Sequence, residues 1–443
     1  MNTRSKLSAL LTVLGLWSEA CTANDAASNP TRATRPAAIA GAHALNEPTA
    51  AGAPSTFSSM VPTTTTPTQA GAAASAPVVP DIPMAPPDMD GFTPLEGDCD
   101  DTSPLVNPGA FDIPGNGIDE DCQGGDAASD SCDDMLDLAA SDPLIAARAI
   151  ELCQMTTESA KSWGVISARW TTPDGRGQPG SALMHGILPS FGPAFMPRGG
   201  KRLLALSSGV ARAPGQAGFT KDCSDSFPVD EAHLPQGFDG ASSSCELSDA
   251  ATSVVDAVAL EVRVRMPTNV TALGFDSAFF TDEYPAYICT PYNDFFQVLV
   301  QPKRIGGTAD GNVVFDRDDN AVSVNNSLLG VCEPGRHADK DFTCPLGFTP
   351  LSGTGFDDCR DSLVSPSGFS GIFDDDEAYG ASTGWLNTEF AVSPGEVITL
   401  RFAIWDSGDS SLDSLAIIDH MRFRMRDAPP PPEKPMTIPI ELK

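Results

Sequence analysis

Between Trp163 and Arg426 the apolar residues fall in short runs, many of them alternating, that are separated by Gly, Pro, Asn and Asp. Alternation with a period of two is typical of half-buried β-strands, and those four residues mark turns. The spacing predicts a mainly β fold, an antiparallel, jelly-roll-like β-sandwich, rather than alternating strands and helices. The clearest runs are Leu203–Leu206, Ala257–Val264, Ala272–Phe280, Phe295–Val300, Val397–Ile404 and Leu415–Phe423.

The period of the apolar residues becomes helical in residues 131–160, ahead of these runs. Asp142 supplies an N-cap and Pro143 occupies the first turn. The apolar residues at helical spacing are Leu144, Ile145, Ala149, Leu152 and Cys153. The pattern predicts a helical segment before the strands. Cys132 and Cys153 bracket this segment, in positions where a disulfide would close it.

The first ninety residues have the composition of an export signal followed by a linker. Arg4 and Lys6 precede an apolar run too short to span a bilayer, so residues 1–20 are predicted to be a signal peptide. The stretch that ends in Cys21 resembles a bacterial lipoprotein signal and implies lipidation of that cysteine. Ordinary cleavage, giving a secreted protein, is the alternative. Residues 21–90, rich in Ala, Pro, Thr and Ser, predict a disordered linker.

The eleven cysteines lack the Cys-x-x-Cys pairs and neighbouring histidines of zinc sites. They therefore predict disulfides and export from the reducing cytoplasm. Lipidation of Cys21 leaves ten that can all pair. These are Cys99, Cys122, Cys132, Cys153, Cys223, Cys245, Cys289, Cys332, Cys344 and Cys359. Their pairing is not fixed by the sequence.

The formal net charge of −32 comes mostly from aspartates in loop-like sequence. Such a charge repels nucleic acid and attracts divalent cations. DNA and RNA are therefore not expected as partners.

Residues 91–130, the aspartate segment, carry two carboxylate clusters that are each fused to a cysteine. A Cys99–Cys122 bridge would hold the clusters face to face as a cage of hard oxygen ligands. The alternative is that these aspartates only solvate a loop. The candidate ligands are Asp98, Asp100, Asp101, Asn107, Asp119 and Asp121.

The pattern G-D-C-D-D, then N-P-G-A, then N-G-I-D-x-D-C runs through this segment. It resembles the short Asp/Cys metal-binding motif of bacterial surface proteins, a family named for the copper-binding protein MopE. The chain departs from the pattern after Ala110, where many members carry a glutamate. The family name implies copper. However, the segment has no histidine and bridged cysteines offer no soft ligand, so calcium is expected instead.

Further stretches occur in order along residues 131–427, among them Asp282-Glu283-Tyr284-Pro285 and Ile404-Trp405-Asp406-Ser407-Gly408-Asp409. They resemble the choice-of-anchor L domain of bacterial surface proteins. The resemblance implies a surface location and names no reaction. Residues 428–443 form a Pro-rich tail without an apolar span. Anchoring is therefore expected at the outer membrane, through the amino-terminal lipid.

Two acidic loops of this domain form a possible second metal site, with ligands Asp282, Glu283, Asp294, Asp406, Asp409 and Asp413. If the fold brings the loops together, their oxygens could share a calcium ion. The alternative is a network of Asx turns without an ion. The aromatic residues Tyr284, Tyr292 and Trp405 suit either a sugar-binding platform or a β core, and the core is the expected role.

No catalytic motif stands out in the sequence. A His-Glu-x-x-His helix and a phosphate loop are both missing, and the five histidines are isolated. His185 is expected to be structural. The expected function is a lipid-anchored surface protein, not an enzyme, with a calcium-stabilised binding or adhesive β domain for a polysaccharide or another surface protein. The alternative is an extracellular hydrolase that uses carboxylates on polysaccharide.

Overall fold

The computed structural model describes residues 88–128, 132–220, 223–229, 232–238, 240, 242–243, 245, 253–326, 328–337, 340–357 and 380–441. The predicted signal peptide, Cys21, most of the predicted linker and Cys359 lie outside these ranges. The described residues belong to one unit, Pro80–Lys443. None of the helices found among them is long and apolar enough to cross a membrane.

The described chain is mainly β, as the sequence predicts. Its strands are β1 (Gly164–Thr171), β2 (His185–Leu188), β3 (Leu203–Ser207), β4 (Val255–Arg265), β5 (Val270–Thr281), β6 (Phe295–Gln301), β7 (Gly335–His337), β8 (Lys340–Phe342), β9 (Ala381–Ser382), β10 (Leu386–Ala391), β11 (Val397–Asp406), β12 (Ser414–Met425) and β13 (Met436–Pro439). Short 3-10 helices span Pro94–Glu96, Ala182–Met184 and Thr349–Leu351. Each of the six predicted runs lies within one of these strands.

All strand pairs are antiparallel. One sheet has the order β1-β4-β11-β6, and a larger one has the order β13-β10-β5-β12-β3-β2, with β9 also pairing with β5. Strands β7 and β8 form a separate two-stranded sheet.

The two larger sheets pack face to face around one core. Along β11 the buried Ile398, Leu400 and Phe402 alternate with partly exposed residues, so one face of that strand points inward. Phe402 meets Phe275 of β5 edge to face, with ring centroids 5.7 Å apart. Apolar residues of both sheets share this cluster. This is the packing of a β-sandwich, and burial of such faces supplies most of the driving force for folding.

The outer face of the larger sheet is covered as well. Phe280 and Ile417 belong to a second apolar cluster, in which Phe191, Phe195 and Trp385 pack on the sheet. Strands β5 and β12 are therefore buried on both faces over much of their length. This explains why their sequences are continuous apolar runs instead of alternating ones.

The helical segment is much shorter than the predicted one. The helix α1 spans Pro143–Arg148, and the Asp142 side chain accepts a hydrogen bond from Leu144 N, as a cap does. The helix ends because Glu151 takes a φ of 71°, a left-handed conformation that a helix cannot continue. Met155 then pairs with a residue of β1.

Four disulfides join described residues: Cys99–Cys122, Cys132–Cys153, Cys245–Cys289 and Cys332–Cys344. The first two are the bridges expected across the aspartate segment and around the helix. Cys223 is also disulfide-bonded. Because covalent closure of loops removes conformations from the unfolded chain, these bonds stabilise a fold rich in irregular connections.

Candidate metal centre

Two asparagines hold the aspartate segment against the turn between β4 and β5. Asn107 is fully buried, and its Oδ1 accepts hydrogen bonds from Gly109 N at 2.9 Å and Thr268 Oγ1 at 2.7 Å. Asn269 accepts from Phe111 N and donates to Phe111 O, both at 2.8 Å. Buried amides need such partners. Asn107, predicted as a ligand, therefore positions the segment, and its side-chain oxygen is already engaged.

The first acidic cluster consists of Asp88, Asp90 and Asp98. One carboxylate oxygen of each lies within 4.8 Å of the others. The Oδ1 atoms accept backbone N–H groups two residues ahead, whereas the Oδ2 atoms are buried and have no hydrogen-bond partner. Asp98 is only 7% exposed. Burial and the neighbouring carboxylates raise the pKa of Asp90 and of Asp98.

The second acidic cluster consists of Asp112, Asp119 and Asp121, again with one oxygen of each within 4.8 Å of the others. Asp119 accepts from Gln123 N at 2.9 Å and from Gly125 N at 3.0 Å, which fixes both of its oxygens. Burial is the largest cause that raises the pKa of Asp112 to about 6. Carboxylates this close repel one another unless a proton or a cation lies between them.

The structure divides the predicted ligands of the aspartate segment. Asp98 belongs to the first acidic cluster, and Asp119 and Asp121 belong to the second. Asp100 and Asp101 belong to neither. The expected single cage is replaced by two separate three-carboxylate clusters.

Three members of the clusters were missed by the sequence reasoning. Asp88 and Asp90 are at the end of the stretch predicted as linker. Their Asp-x-Asp spacing is the sequence feature that could have indicated them as ligands. Asp112 follows the position at which the chain departs from the family pattern. Its contribution depends on the folded path of the segment, which spacing alone does not give.

The donor set of both clusters consists of oxygen atoms. The sulfurs of Cys99 and Cys122 are bonded to each other, and residues 88–128 contain no histidine. Calcium takes six to eight oxygen ligands, from carboxylates, carbonyls and water. Copper favours nitrogen and sulfur donors. The residues present therefore fit a hard cation.

The six acidic residues predicted in the β domain meet at one end of the sandwich. Strands β5 and β11 end there, and β6 and β12 begin there. The carboxylates thus come from the ends of both larger sheets. Five of the six residues are at most 9% exposed, and Asp409 is half-buried. This buried acidic cluster consists of Asp282, Glu283, Asp294, Asp406, Asp409 and Asp413.

The contacts of the buried acidic cluster join its loops without neutralising them. Asp294 N donates to Glu283 Oε2 at 3.0 Å, and Asp282 N donates to Asp413 O at 3.1 Å. Among the described residues, no cationic side chain forms an ion pair with any of the six. Burial, with the neighbouring carboxylates, raises the pKa of Asp282 and Glu283 well above the ordinary range.

The aromatic and histidine candidates are mostly core residues. Tyr284 and Trp405 are fully buried, which confirms the core interpretation for both, whereas Tyr292 is 39% exposed. His185 is 3% exposed and stacks on Trp170, with ring centroids 3.7 Å apart. Burial lowers the pKa of His185 to about 4. This histidine is neutral and structural at physiological pH.

A buried charge network around Asp276 was not predicted. Asp276 is 1% exposed and accepts hydrogen bonds from Arg198 Nε at 2.6 Å and Asn387 Nδ2 at 2.8 Å. His420 Nδ1 and an Arg422 nitrogen each lie 3.0 Å from it. Burial alone would raise the pKa of Asp276, but the hydrogen bonds from His420 and Arg198 and the charge of Arg422 lower it. All of these partners are far from Asp276 in sequence, so no local pattern shows the network.

Residues 98–128 match the family model Cu-binding_MopE, whose description is "Putative metal-binding motif". The matched range holds the whole second acidic cluster and Asp98 of the first. No curated protein and no solved structure matches the chain. Residues 98–128 thus form a MopE-type metal-binding motif.

Proposed function

We propose that this chain is an exported, lipid-anchored protein of the bacterial cell surface, stabilised by calcium, whose β domain binds or adheres to a partner. The observation that carries the proposal is the pair of three-carboxylate clusters in and beside a disulfide-closed MopE-type motif. The β domain is proposed to be of the choice-of-anchor L type, because of the sequence stretches given above and its antiparallel sheets.

Calcium is proposed over copper because of the ligands. The oxygens of Asp88, Asp90 and Asp98 that have no hydrogen-bond partner are buried, hard donors of the kind that calcium prefers. A structural role follows from the size of the motif. A segment this short, with few apolar residues, needs a covalent closure and an ion to hold one conformation.

Binding is proposed over hydrolysis because of burial. A glycosidase needs two carboxyl groups that face the same sugar. In the buried acidic cluster, Asp282, Glu283 and Asp406 are at most 3% exposed, so a polysaccharide chain could not reach them. A partner outside the cell, either a polysaccharide or a second surface protein, would meet the exterior of the sandwich instead.

The experiment is thermal unfolding of the mature chain, from Cys21 onward with intact disulfides, in excess calcium and after chelation. An ion bound only by the native state stabilises it by about 2.7 kcal/mol at one hundred times its dissociation constant, so the midpoint should rise with calcium concentration. Substituting Asp119→Asn and Asp121→Asn together should reduce this rise. Asp100→Asn, outside both clusters, is the matched control and should preserve it.

Copper is the competing outcome of the same measurement. If the unfolding midpoint rises with copper and not with calcium, the metal bound by the motif is copper. A midpoint that responds to neither metal would leave the motif without the proposed role.

A further inference from the structure

We propose that the cavity between Asp282 and Asp413, at the end of the β-sandwich, is a further cation site that takes a divalent, oxygen-preferring cation of the calcium class. The site lies in the β domain, outside the residues that match the metal-binding motif. It does not depend on the motif or on the clusters beside it.

The cavity has room for an ion. Its volume is about 40 Å³, and a cavity needs only about 10–15 Å³ to hold one water molecule. Its polar wall includes the carboxylates of Asp225, Asp282 and Asp413 and the hydroxyl-bearing Ser207 and Thr354. A cation with water ligands therefore fits between the acidic side chains.

One buried oxygen of Asp282 has no hydrogen-bond partner, which suggests that a ligand binds there. Asp282 lines the cavity, is 3% exposed, and its Oδ1 has no hydrogen-bond donor. A buried oxygen without a donor is unfavourable, and more so if it is charged. Coordination of a cation would remove that cost. Burial and the nearby Asp413 carboxylate also raise the pKa of Asp282, because both disfavour its charged form.

Asp413 is held in place from its backbone and its side chain. Its N–H donates to Cys223 O at 2.7 Å, and its Oδ2 accepts from Asp225 N at 3.3 Å. A Cβ at Gly209 would lie 1.8 Å from Asp413 Oδ2. The carboxylate therefore packs directly on the Gly209 backbone, and a side chain there would displace it.

Arg212 lines the same cavity but is not its counter-ion. Its guanidinium donates to the carbonyl oxygens of His185 at 2.6 Å, Ala211 at 2.7 Å and Ala182 at 3.3 Å. These hydrogen bonds direct the guanidinium towards backbone carbonyls, and among the described residues it forms no ion pair with Asp282 or Asp413. A bound cation would compensate the charge of these two carboxylates when they are ionised.

The ligand chemistry favours a hard cation. Cys223 also lines the cavity, but its sulfur is disulfide-bonded. Among the described residues, the buried acidic cluster does not bring three carboxylate oxygens within 4.8 Å of one another. Of the acidic residues that line the cavity, Asp282 and Asp413 are the proposed charged ligands. Water and neutral oxygens would complete the shell, which calcium accepts because its coordination is flexible.

The first test counts bound calcium by titration calorimetry on the mature chain. A variant that disables the motif, Asp98→Asn with Asp112→Asn and Asp121→Asn, should still bind one calcium ion. Adding Asp282→Asn and Asp413→Asn to this variant should abolish binding of the remaining calcium ion. The proposal is overturned if the motif variant binds no calcium, or if the added pair leaves the count unchanged. A motif variant that binds as many ions as the wild type would instead contradict the function proposed for the motif.

The second test uses stability, so that a defect in folding is not mistaken for loss of a ligand. Without calcium, the Asp282→Asn and Asp413→Asn pair should unfold at or above the wild-type midpoint, because it removes buried acids. With calcium, the wild type should unfold at the higher temperature. Introduced into the motif-disabled variant, Gly209→Ala should remove the calcium-dependent rise that remains there.

Asp310→Asn is the matched control. Asp310 is also buried, at 6% exposure, but it accepts hydrogen bonds from Gln297, Thr308 and Asn312. Its substitution should lower the midpoint equally with and without calcium. If the order of wild type and the Asp282/Asp413 variant is the same in both conditions, the cavity holds no cation.

Discussion

His185 shows how one buried side chain can tie stability to pH. It stacks on Trp170, and its backbone carbonyl accepts from Arg212. Burial, followed by the positive charge of Arg212, lowers its pKa from 6.5 to about 4. In the unfolded chain the same imidazole titrates near its ordinary value. Between these two values the unfolded state therefore binds more protons than the native state.

This difference gives a prediction for pH. The free energy of unfolding that the neutral His185 contributes is fully present above about pH 6.5 and is lost as the pH falls towards about 4. The loss is roughly 3 kcal/mol, at 1.36 kcal/mol per pKa unit. The measurement is denaturant unfolding of wild type and His185→Gln at several pH values in that window. The wild type should lose more stability on acidification. Parallel curves for the two proteins would contradict the assignment.

Single residues also show where sequence reasoning stops. Asp282 and Asp413 could be proposed as neighbours because each stands in an acidic loop beside an apolar strand. Asn107 was expected to bind metal, yet its oxygen is taken by Thr268, a residue far along the chain. A residue type limits the chemistry that is available. The partner that uses it is chosen by long-range packing, which no local pattern contains.

At the scale of elements, the Cys99–Cys122 bond closes the aspartate segment. It joins the parts of the chain that carry the first and the second acidic clusters. In the chain-entropy model, closing a loop of this length stabilises the folded form by about 3 kcal/mol. The segment offers few apolar residues that could replace that contribution.

We therefore expect Cys99→Ser with Cys122→Ser to loosen the segment and to weaken its calcium binding at least tenfold, while the sandwich remains folded. Calcium titration together with circular dichroism checks both parts. Cys332→Ser with Cys344→Ser is the control, since that bond lies outside the segment. Equal calcium affinity in the two double variants would refute a role for the bridge in shaping the site.

The strands could be located from sequence because their signal is local. Burial of one or both faces of β4, β5, β11 and β12 produces the apolar runs directly. The helix was overestimated because apolar residues continue at helical spacing after Arg148 while the backbone turns away. Strand β13 was missed because a proline-rich stretch resembles a tail, although it pairs with β10 at the edge of the sheet, where proline is tolerated.

At the scale of the whole molecule, the proposed anchor is testable by location. If Cys21 carries lipid, the protein should sediment with the membrane fraction, and Cys21→Ser should move it to the soluble fraction without changing its unfolding midpoint. Fractionation followed by mass spectrometry of the Cys21 peptide provides the measurement. If unmodified wild-type protein is recovered in the medium, the protein is secreted after ordinary cleavage and is not anchored by lipid.

The first acidic cluster takes on a mechanical meaning in a protein tethered by its amino terminus. Tension transmitted along the tether would reach the described fold at Asp88 and Asp90, ahead of β1 and every other strand. An ion clasped between these residues and Asp98 would then bear load before any sheet does. The calcium concentration outside the cell would set how hard the tether can be pulled before the motif yields.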